Sequence, residues 1–462
     1  MTTLIKSKAL WVVVVLSALL AALVILVSHH DLTWHDQQRL GQIVLFALAF
    51  VGSLLLRSTN IVRLNPLWSW PASGVLVLGA TSAAFASHTL WAATELSLLV
   101  ASIGISAFVF SLIRQFNERA DLVLGWLLRL LLASMVLQFY VSFVSALGHA
   151  DLFFTPWSLL YGFSNMRFEG QFLTIVVPLL GAALCMPSGS NIRYPRGLDI
   201  FLMVSLVAMV FVAGTRGTIA AWLAVSILFF GMNGGARVAA KRMFVAMVLG
   251  FVLAWLVLHT VSWVTGQEVD YRFAGEQVFG LSLREILWKH AWATIIEHPW
   301  LGVGPMHFAS LKNWVAAHPH QALLQIGSEW GLPVLFIVLV TVAIWLTKVF
   351  GEVRSTDATA GADLRWAPLF AVLSSMVQSM VDGVLVMPYP QLWLAITVGW
   401  CSARCLPHFQ GEGVRVPLWL PLSLWAAANV VLVAVAVMSY PDLVGAPEYC
   451  GGGPRFWCSG RI

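Results

Sequence analysis

The sequence contains few charged residues for its length. Only 10% of its 462 residues are Asp, Glu, Lys or Arg, whereas 59% are hydrophobic. A soluble domain carries about a quarter charged residues, and no water-soluble core could bury this much apolar surface. The composition therefore excludes a soluble globular protein and indicates a chain whose solvent is lipid.

Metal ligands and nucleic-acid-binding stripes are lacking as well. The five cysteines do not have the spacing of a metal site, and no Asp-x-Asp cluster is present to hold a divalent cation. The formal net charge is +5, but the basic residues stand singly between apolar runs, which argues against nucleic acid as a partner. We expect no metal and no other cofactor.

Apolar runs long enough to cross a bilayer recur along the chain and predict 12 to 13 transmembrane helices. They lie near residues 9–28, 41–56, 67–87, 89–113, 121–147, 169–187, 198–214, 217–233, 243–264, 322–347, 366–383, 390–403 and 417–440. The runs predict an all-α, polytopic membrane protein. Its first run is expected to be an uncleaved helix rather than a signal peptide, because no small-residue cleavage site follows it.

The same runs suggest three parts of the chain. Residues 1–160 form N-terminal transmembrane helices, and residues 161–405 form a central region that includes a polar loop, 265–321. Residues 406–462 supply the last helix and a polar tail. The polar loop is the longest stretch that cannot lie in lipid, so we expect the chemistry to be found there.

Lysine and arginine residues orient these helices. If Lys6 and Lys8 lie in the cytoplasm, every second loop carries basic residues and the loops between them carry almost none. This alternation is the positive-inside pattern of an inner-membrane protein in contact with membrane lipid. It predicts that the polar loop and the C-terminal tail face the periplasm. In that oxidising compartment we expect a disulfide between Cys450 and Cys458.

A few arginines depart from the positive-inside pattern. They are Arg167, Arg216, Arg272 and Arg284. An arginine at the outer membrane face usually has an anionic partner. Arg216 could pair with Asp382 and Arg167 with Glu169, while Arg284, at the start of a predicted interfacial helix over 282–298, could contact lipid phosphates. These structural interpretations compete with a functional one.

Two histidines end the polar loop, in the run His318-Pro319-His320-Gln321. His320 is predicted to lie at the outer mouth of the helix that follows, with Glu329 further along it and a break at residues 331–333. Either histidine alone could be an ordinary polar cap, and the pair lacks a third ligand for zinc. Together with the outer arginines, however, an imidazole that can accept a proton near neutral pH indicates a group-transfer site with an anionic leaving group. A diphosphate fits such a site without a metal.

The motifs resemble those of the O-antigen ligase/polymerase superfamily. Residues 297–305, Glu-His-Pro-Trp-Leu-Gly-Val-Gly-Pro, and residues 331–333 carry the resemblance together with the pattern His-[Asn/Ser/Gln]-nine residues-Gly, matched by His320, Gln321 and Gly331. It covers roughly residues 160–400. The departure is Gln321, where asparagine is more usual.

The resemblance implies a GT-C-type, inverting, metal-independent glycosyltransferase. Such an enzyme takes a glycan from undecaprenyl diphosphate and gives it to an acceptor hydroxyl at the periplasmic face. The family's two arginines match Arg216 and Arg284, and its essential histidine matches His320. We add Arg167 to the diphosphate-binding residues. Further residues are expected to support the site: His318, Gln321, Glu329 and Asp382.

The acceptor divides this superfamily into branches. Local motifs at residues 165–179, 381–391 and 454–457 resemble the branch of O-oligosaccharyltransferases that glycosylate type IV pilin. A ligase that joins O-antigen to lipid A-core and an O-antigen polymerase are the alternatives within the superfamily. A transporter of lipid-linked sugars is the alternative from another class, although its ionisable residues would be expected near the bilayer midplane rather than at one face. A structural scaffold would leave the outer arginines unexplained.

Overall fold

The computed structural model describes residues 2–56, 61–149, 154–183, 196–232, 234–267, 283–311, 315–355, 363–406, 413–444 and 455–458. Its helices are α1 (Thr2–Leu26), α2 (Trp34–Leu56), α3 (Pro66–Phe85), α4 (Thr89–Phe116), α5 (Glu118–Gly148), α6 (Met166–Ala183), α7 (Arg196–Val212), α8 (Arg216–Phe230), α9 (Gly235–Thr265), α10 (Arg284–Glu297), α11 (Ala322–Trp330), α12 (Leu332–Ser355), α13 (Asp363–Ser379), α14 (Pro388–Cys405) and α15 (Trp419–Leu443). Short 3-10 turns span Pro156–Leu159 and His307–Ser310.

Strand structure in the described residues is confined to a two-stranded antiparallel ribbon. Strand β1 (Ile61–Leu64) pairs with β2 (Val414–Pro417), and Val62 lies opposite Val416. Both strands belong to loops that the charge pattern places on the cytoplasmic side. The prediction of an all-α, polytopic protein is therefore confirmed, with this ribbon as a minor addition.

Each predicted apolar run contains a helix. In the part of the chain that the structure describes, seven helices are long and apolar enough to cross a membrane, namely α1 from Lys8, α2, α4, α5, α9, α12 to Arg354, and α15. Helices α7 and α8 are apolar but shorter. Helices α6, α13 and α14 are less apolar because they bury polar side chains against their neighbours. These include Gln171, Thr174, Ser374, Ser375, Gln378 and Thr397.

Helices in the bundle pack closely where small residues face each other. A Cβ on Gly399 of α14 would lie 2.4 Å from the carbonyl oxygen of Ser106 on α4. The Ser106 hydroxyl donates to the carbonyl of Ala395, one turn earlier on α14, at 2.5 Å. Because apolar burial gives no driving force between helices in lipid, such close contact and interhelical hydrogen bonding carry the association.

Buried ion pairs join helices toward the predicted cytoplasmic side. Arg129 on α5 donates two hydrogen bonds to the carboxylate of Asp199 on α7, at 2.7 and 2.9 Å, and both side chains are almost fully buried. Asp121, in the first turn of α5, accepts from Arg404 and from the Trp400 indole, both on α14. Breaking such a pair from one side leaves an uncompensated charge, which costs about 3–5 kcal/mol.

The polar loop contains the predicted interfacial helix, and the predicted helix break follows the loop. Helix α10 buries Leu287, Ala291 and Ile295 on one face, as its sequence pattern predicts. Helix α11 ends at Trp330 and α12 begins at Leu332. Gly331 separates them with φ +86°, a backbone conformation that residues with a Cβ rarely adopt.

This break yields a prediction about stability. A Cβ on Gly331 would lie 2.2 Å from the carbonyl oxygen of Trp300 as well as straining the backbone. Gly331→Ala is therefore expected to lower the free energy of unfolding by at least about 1–3 kcal/mol, the usual cost of such a backbone conformation. The measurement is the thermal unfolding midpoint of the purified protein in detergent.

Gly351→Ala is the matched control. Gly351 lies within α12, and its added Cβ would meet no atom within 4 Å. Alanine is the better helix former by about 1 kcal/mol, so this variant should keep or slightly raise the midpoint. Equal midpoints for the two variants would contradict the proposed role of Gly331.

Candidate active site

His320 faces a carboxylate across the end of the bundle. Its Nδ1 lies 3.5 Å from Oδ1 of Asp382, and the His320 side chain is 16% exposed. The distance is long for a hydrogen bond, but catalytic hydrogen bonds are often long in unliganded enzymes. His320 has φ +52° without being a glycine. Non-glycine residues in this region are uncommon and are frequently found at functional sites.

Asp382 is held in place from two sides. Gln171 on α6 donates from Nε2 to Oδ1 of Asp382 at 2.7 Å, and the backbone N–H of Gly383 donates to the same oxygen at 2.9 Å. Asp382 is 8% exposed and Gln171 is fully buried. The carboxylate is therefore fixed in direction and points toward His320.

His318 packs behind His320. The two ring centroids are 4.0 Å apart, and the backbone N–H of His320 donates to Nδ1 of His318 at 3.3 Å. A Cβ on Gly383 would lie 2.6 Å from the His318 ring, so no larger residue than glycine fits there. Burial lowers the pKa of His318 well below its usual value, and the positive charges of His320, Arg455 and Arg284 lower it further. His318 is thus a neutral, structural neighbour of His320.

Arg167, Arg216 and Arg284 lie close enough together for the charges of Arg167 and Arg216 to act on Arg284. Burial lowers the pKa of Arg284, the Asp382 carboxylate opposes that shift, and the positive charges of Arg167 and Arg216 add to it. Nε of Arg284 is buried without a hydrogen-bond partner. Three guanidinium groups that repel one another beside a histidine form a site that an anion would stabilise.

The turn before α8 brings Arg216 to this cluster. A Cβ on Gly170 of α6 would lie 2.6 Å from the Thr215 hydroxyl, so the turn sits directly on α6. Thr218 donates to the carbonyl of Gly170 at 2.9 Å and accepts from Gln378 of α13 at 3.1 Å. Helix α8 therefore begins next to the N-terminus of α6 and the C-terminus of α13, where Arg167 and Asp382 lie.

Two hydrogen bonds fix the loop that carries His320. The indole N–H of Trp288, one turn after Arg284 on α10, donates to the carbonyl of Pro319 at 3.1 Å. The Gln321 side chain accepts from the backbone N–H of Leu324 at 2.5 Å and so caps α11. This cap gives Gln321 the role that asparagine more often takes at such a position.

One structural interpretation from the sequence is wrong. Glu169 does not pair with Arg167, because Glu169 is buried with Oε1 lacking a hydrogen-bond partner while Arg167 is exposed. Asp382 accepts from Gln171 and Gly383 and lies beside His320, so the carboxylate faces the histidine. Arg272 lies outside the described residues.

Glu329 lies away from the predicted site. It occupies the far end of α11, about 13 Å along the helix from His320 at 1.5 Å per residue. Both of its carboxylate oxygens accept from Arg455 of the tail, at 2.5 and 2.8 Å, and one accepts from the backbone N–H of Phe308. Sequence reasoning missed this partner. The signal was present in the sequence, because Glu329 lies inside an apolar helix and a charged residue there needs a partner such as a tail arginine.

Cys458 is disulfide-bonded, and its predicted partner Cys450 lies outside the described residues. Within the described ranges, no three His, Cys, Asp or Glu side chains are grouped so that they could hold a metal ion.

A mainly apolar cleft lies along α10 and begins at Glu285, the residue after Arg284. It has a volume of about 570 Å³ and lies between α10 and α11. It is lined by Glu285, Trp288, Lys289, Trp292, Ala293, Ile296 and Leu324. Trp292 and Ile296 are 59% and 66% exposed. Aromatic and aliphatic residues exposed on an outer helix are typical of the membrane interface.

One comparison with known proteins bears on this site. No curated protein matches the chain significantly. Residues 201–339 match the family model described as O-Antigen ligase. The match contains Arg216, Arg284 and His320, whereas Arg167 and Asp382 lie outside it. Over residues 201–339 this polytopic membrane protein is therefore similar to O-antigen ligases, and the matched region contains Arg216, Arg284 and His320. The similarity supports a relation to the ligase/polymerase superfamily.

Proposed function

We propose that the protein transfers a glycan from undecaprenyl diphosphate to an acceptor hydroxyl at the periplasmic face of a bacterial inner membrane. The observation that carries the proposal is the convergence of Arg167, Arg216 and Arg284 on one electrostatic site beside the His320–Asp382 pair. The site lies at the end of the bundle to which the polar loop and the tail both belong. Catalysis there needs a positioned base and a stabilised leaving group.

The proposed reaction is a single displacement with inversion. Asp382 faces Nδ1 of His320 and so favours a proton on that nitrogen, which leaves Nε2 able to accept one. Nε2 takes the proton of the acceptor hydroxyl while its oxygen attacks the anomeric carbon. The bond between that carbon and the diphosphate oxygen breaks, and the diphosphate leaves with the electron pair. Guanidinium groups stabilise the developing charge without a proton donor.

The surroundings of the site fit an amphiphilic donor. Arg284 begins α10, and the apolar cleft lies along the same helix beyond Trp288. A diphosphate at the arginines could therefore extend its isoprenoid chain along an apolar surface toward the bilayer. This continuity favours a lipid-linked donor over a soluble nucleotide sugar.

A type IV pilin hydroxyl is the proposed acceptor, on the strength of the local motifs that resemble that branch. The Gln171–Asp382 hydrogen bond joins two of those motifs in space. Lipid A-core, and then a growing O-antigen, are the alternatives that the same geometry would serve, because each anchors its hydroxyl at a similar depth. A transporter of lipid-linked sugars is disfavoured, since the ionisable cluster lies at one end of the bundle.

The base and its partner give the first functional prediction. His320→Ala should lose about 10²- to 10⁴-fold in kcat, the usual contribution of acid–base catalysis, with an unchanged unfolding midpoint because the side chain is partly exposed. Asp382→Asn should lose at least about tenfold, because the amide no longer favours the reactive tautomer. The measurement is transfer of labelled glycan in proteoliposomes.

His290→Ala and Asp442→Asn are the controls for these variants. His290 is an exposed residue of α10 in the same loop, and Asp442 is exposed near the end of α15. Both should transfer glycan at the wild-type rate. Full activity of His320→Ala would remove the general-base assignment.

The arginines give a second prediction. Arg216→Lys and Arg284→Lys keep the charge but lose the planar fork that grips two phosphate oxygens. We expect most activity to be lost, with a higher KM for the lipid-linked glycan. Arg354→Lys, at the other end of α12, is the control and should behave as wild type. Wild-type kinetics for both site variants would contradict a bidentate grip on diphosphate.

Reconstitution decides the acceptor. Purified protein would receive lipid-linked glycan together with either pilin or lipid A-core, and labelled product would be identified by mass. Pilin labelling alone is the expected result. Labelling of lipid A-core alone would show a ligase, and extension of the donor glycan alone would show a polymerase.

A further inference from the structure

The tail segment 455–458 is buried at the outer end of the bundle. Arg455 is 5% exposed, Phe456 is fully buried, and Trp457 and Cys458 are each 2% exposed. The segment is short and not helical, so its burial must be stabilised by specific contacts. Those contacts lead to α11, which follows His320, and to the turn that carries Asp382.

One contact reaches the helix that follows His320. Nη1 and Nη2 of Arg455 donate to the two carboxylate oxygens of Glu329 on α11, and Nη2 also donates to Glu95 on α4 at 2.9 Å. Burial lowers the pKa of Arg455, but Glu329 and Glu95 raise it by more, so the guanidinium stays charged. Arg455 thereby fixes the end of α11 against α4, and a helix of nine residues transmits that position to its other end.

The next residue, Phe456, is linked through Arg39 to the turn that carries Asp382. The carbonyl of Phe456 accepts from Nε of Arg39 at 3.1 Å and lies 3.2 Å from Nε2 of His35. Nη2 of Arg39 donates in turn to the carbonyl of Val386 at 2.9 Å. The N–H of Val386 donates to the carbonyl of Gly383 at 3.0 Å, which closes the turn directly after Asp382.

A third contact anchors the end of the segment. The backbone N–H of Cys458 donates to Oδ1 of Asp36 at 2.7 Å, and Asp36 is held by Thr33 at the start of α2. Cys458 is also disulfide-bonded. Cys458 therefore fixes one end of the segment, and the contacts of Arg455 and Phe456 lead separately to α11 and, through Arg39, to the 382–386 turn.

We propose that Arg455, acting through Glu329, is a positioning residue that sets the separation between His320 and Asp382. The proposal rests on the function proposed above, because it takes His320 as the base. Arg455 and Phe456 connect the element that carries His320 with the element that carries Asp382, while Arg455 itself does not touch the reacting atoms. A displacement of about 1 Å at such a pair can cost about 10²-fold in rate.

Arg455→Met tests the proposal with two measurements on the full-length protein. The first is glycan transfer, for which kcat should fall about 10²-fold while KM for the donor stays unchanged. The second is the rate at which diethyl pyrocarbonate modifies His320, followed by mass spectrometry with exposed His290 as an internal reference. That rate should rise, because His320 is released from its contacts, and it requires no turnover.

A triple variant without these charges, called the neutral version below, controls for misfolding caused by unpaired carboxylates. Arg455→Met leaves the buried Glu329 and the partly buried Glu95 without their partner. The same measurements are therefore made on Arg455→Met combined with Glu329→Gln and Glu95→Gln, which removes the three charges of these ion pairs. It should show the same loss of kcat and the same faster modification of His320. The control is Arg129→Met with Asp199→Asn, which removes a similar buried pair from the other half of the bundle. It should lower the unfolding midpoint and change neither measurement.

The outcomes separate the two proposals. An unchanged rate of His320 modification in the neutral version overturns the positioning role, whatever happens to kcat. A loss of kcat that the control reproduces also overturns it, since the effect is then on stability alone. If His320→Ala remains active, the general-base assignment fails, but the modification rate still decides whether Arg455 places His320.

Discussion

Lipid cannot form hydrogen bonds with a peptide group, and the outer end of this protein depends on that constraint. The broken helix between α11 and α12 leaves backbone groups that water would otherwise satisfy. The turn over residues 299–305 satisfies them: the N–H of Val303 and Gly304 donate to the carbonyls of Ser328 and Glu329, and the N–H of Leu332 donates to the carbonyl of Pro299. These hydrogen bonds hold the irregular loop against the break between α11 and α12. The candidate site lies at the other end of α11, so its position depends on that contact.

Properties that are local in sequence could be predicted. Hydropathy located the helices because a span needs an uninterrupted apolar run, and the interfacial pattern located α10. Departures from the positive-inside pattern drew attention to Arg167, Arg216 and Arg284, and the structure places these three arginines within electrostatic range of one another. These features require no knowledge of which helix touches which.

Partners across the fold could not be predicted in the same way. Gln171 and Asp382 are 211 positions apart, and Glu329 and Arg455 are 126 apart, so only the packing of α6 on α13 and of the tail on α11 brings them together. The prediction of an Arg167–Glu169 pair was wrong for a simpler reason. Residues two apart on a helix point to different faces, and here one faces solvent while the other faces the bundle.

The buried tail has a consequence for synthesis of the protein. His35 and Arg39 on α2 precede their partner, the carbonyl of Phe456, by 421 and 417 residues in the sequence, so they are synthesised long before it. At about 5–20 residues per second, that delay is roughly 20 to 80 s. During this time the early helices are already in the membrane with polar groups that have not met their last partner. This end of the bundle is thus completed late, because the ionisable groups of α2, α4 and α11 meet their last partners only when residues 455–458 have been synthesised.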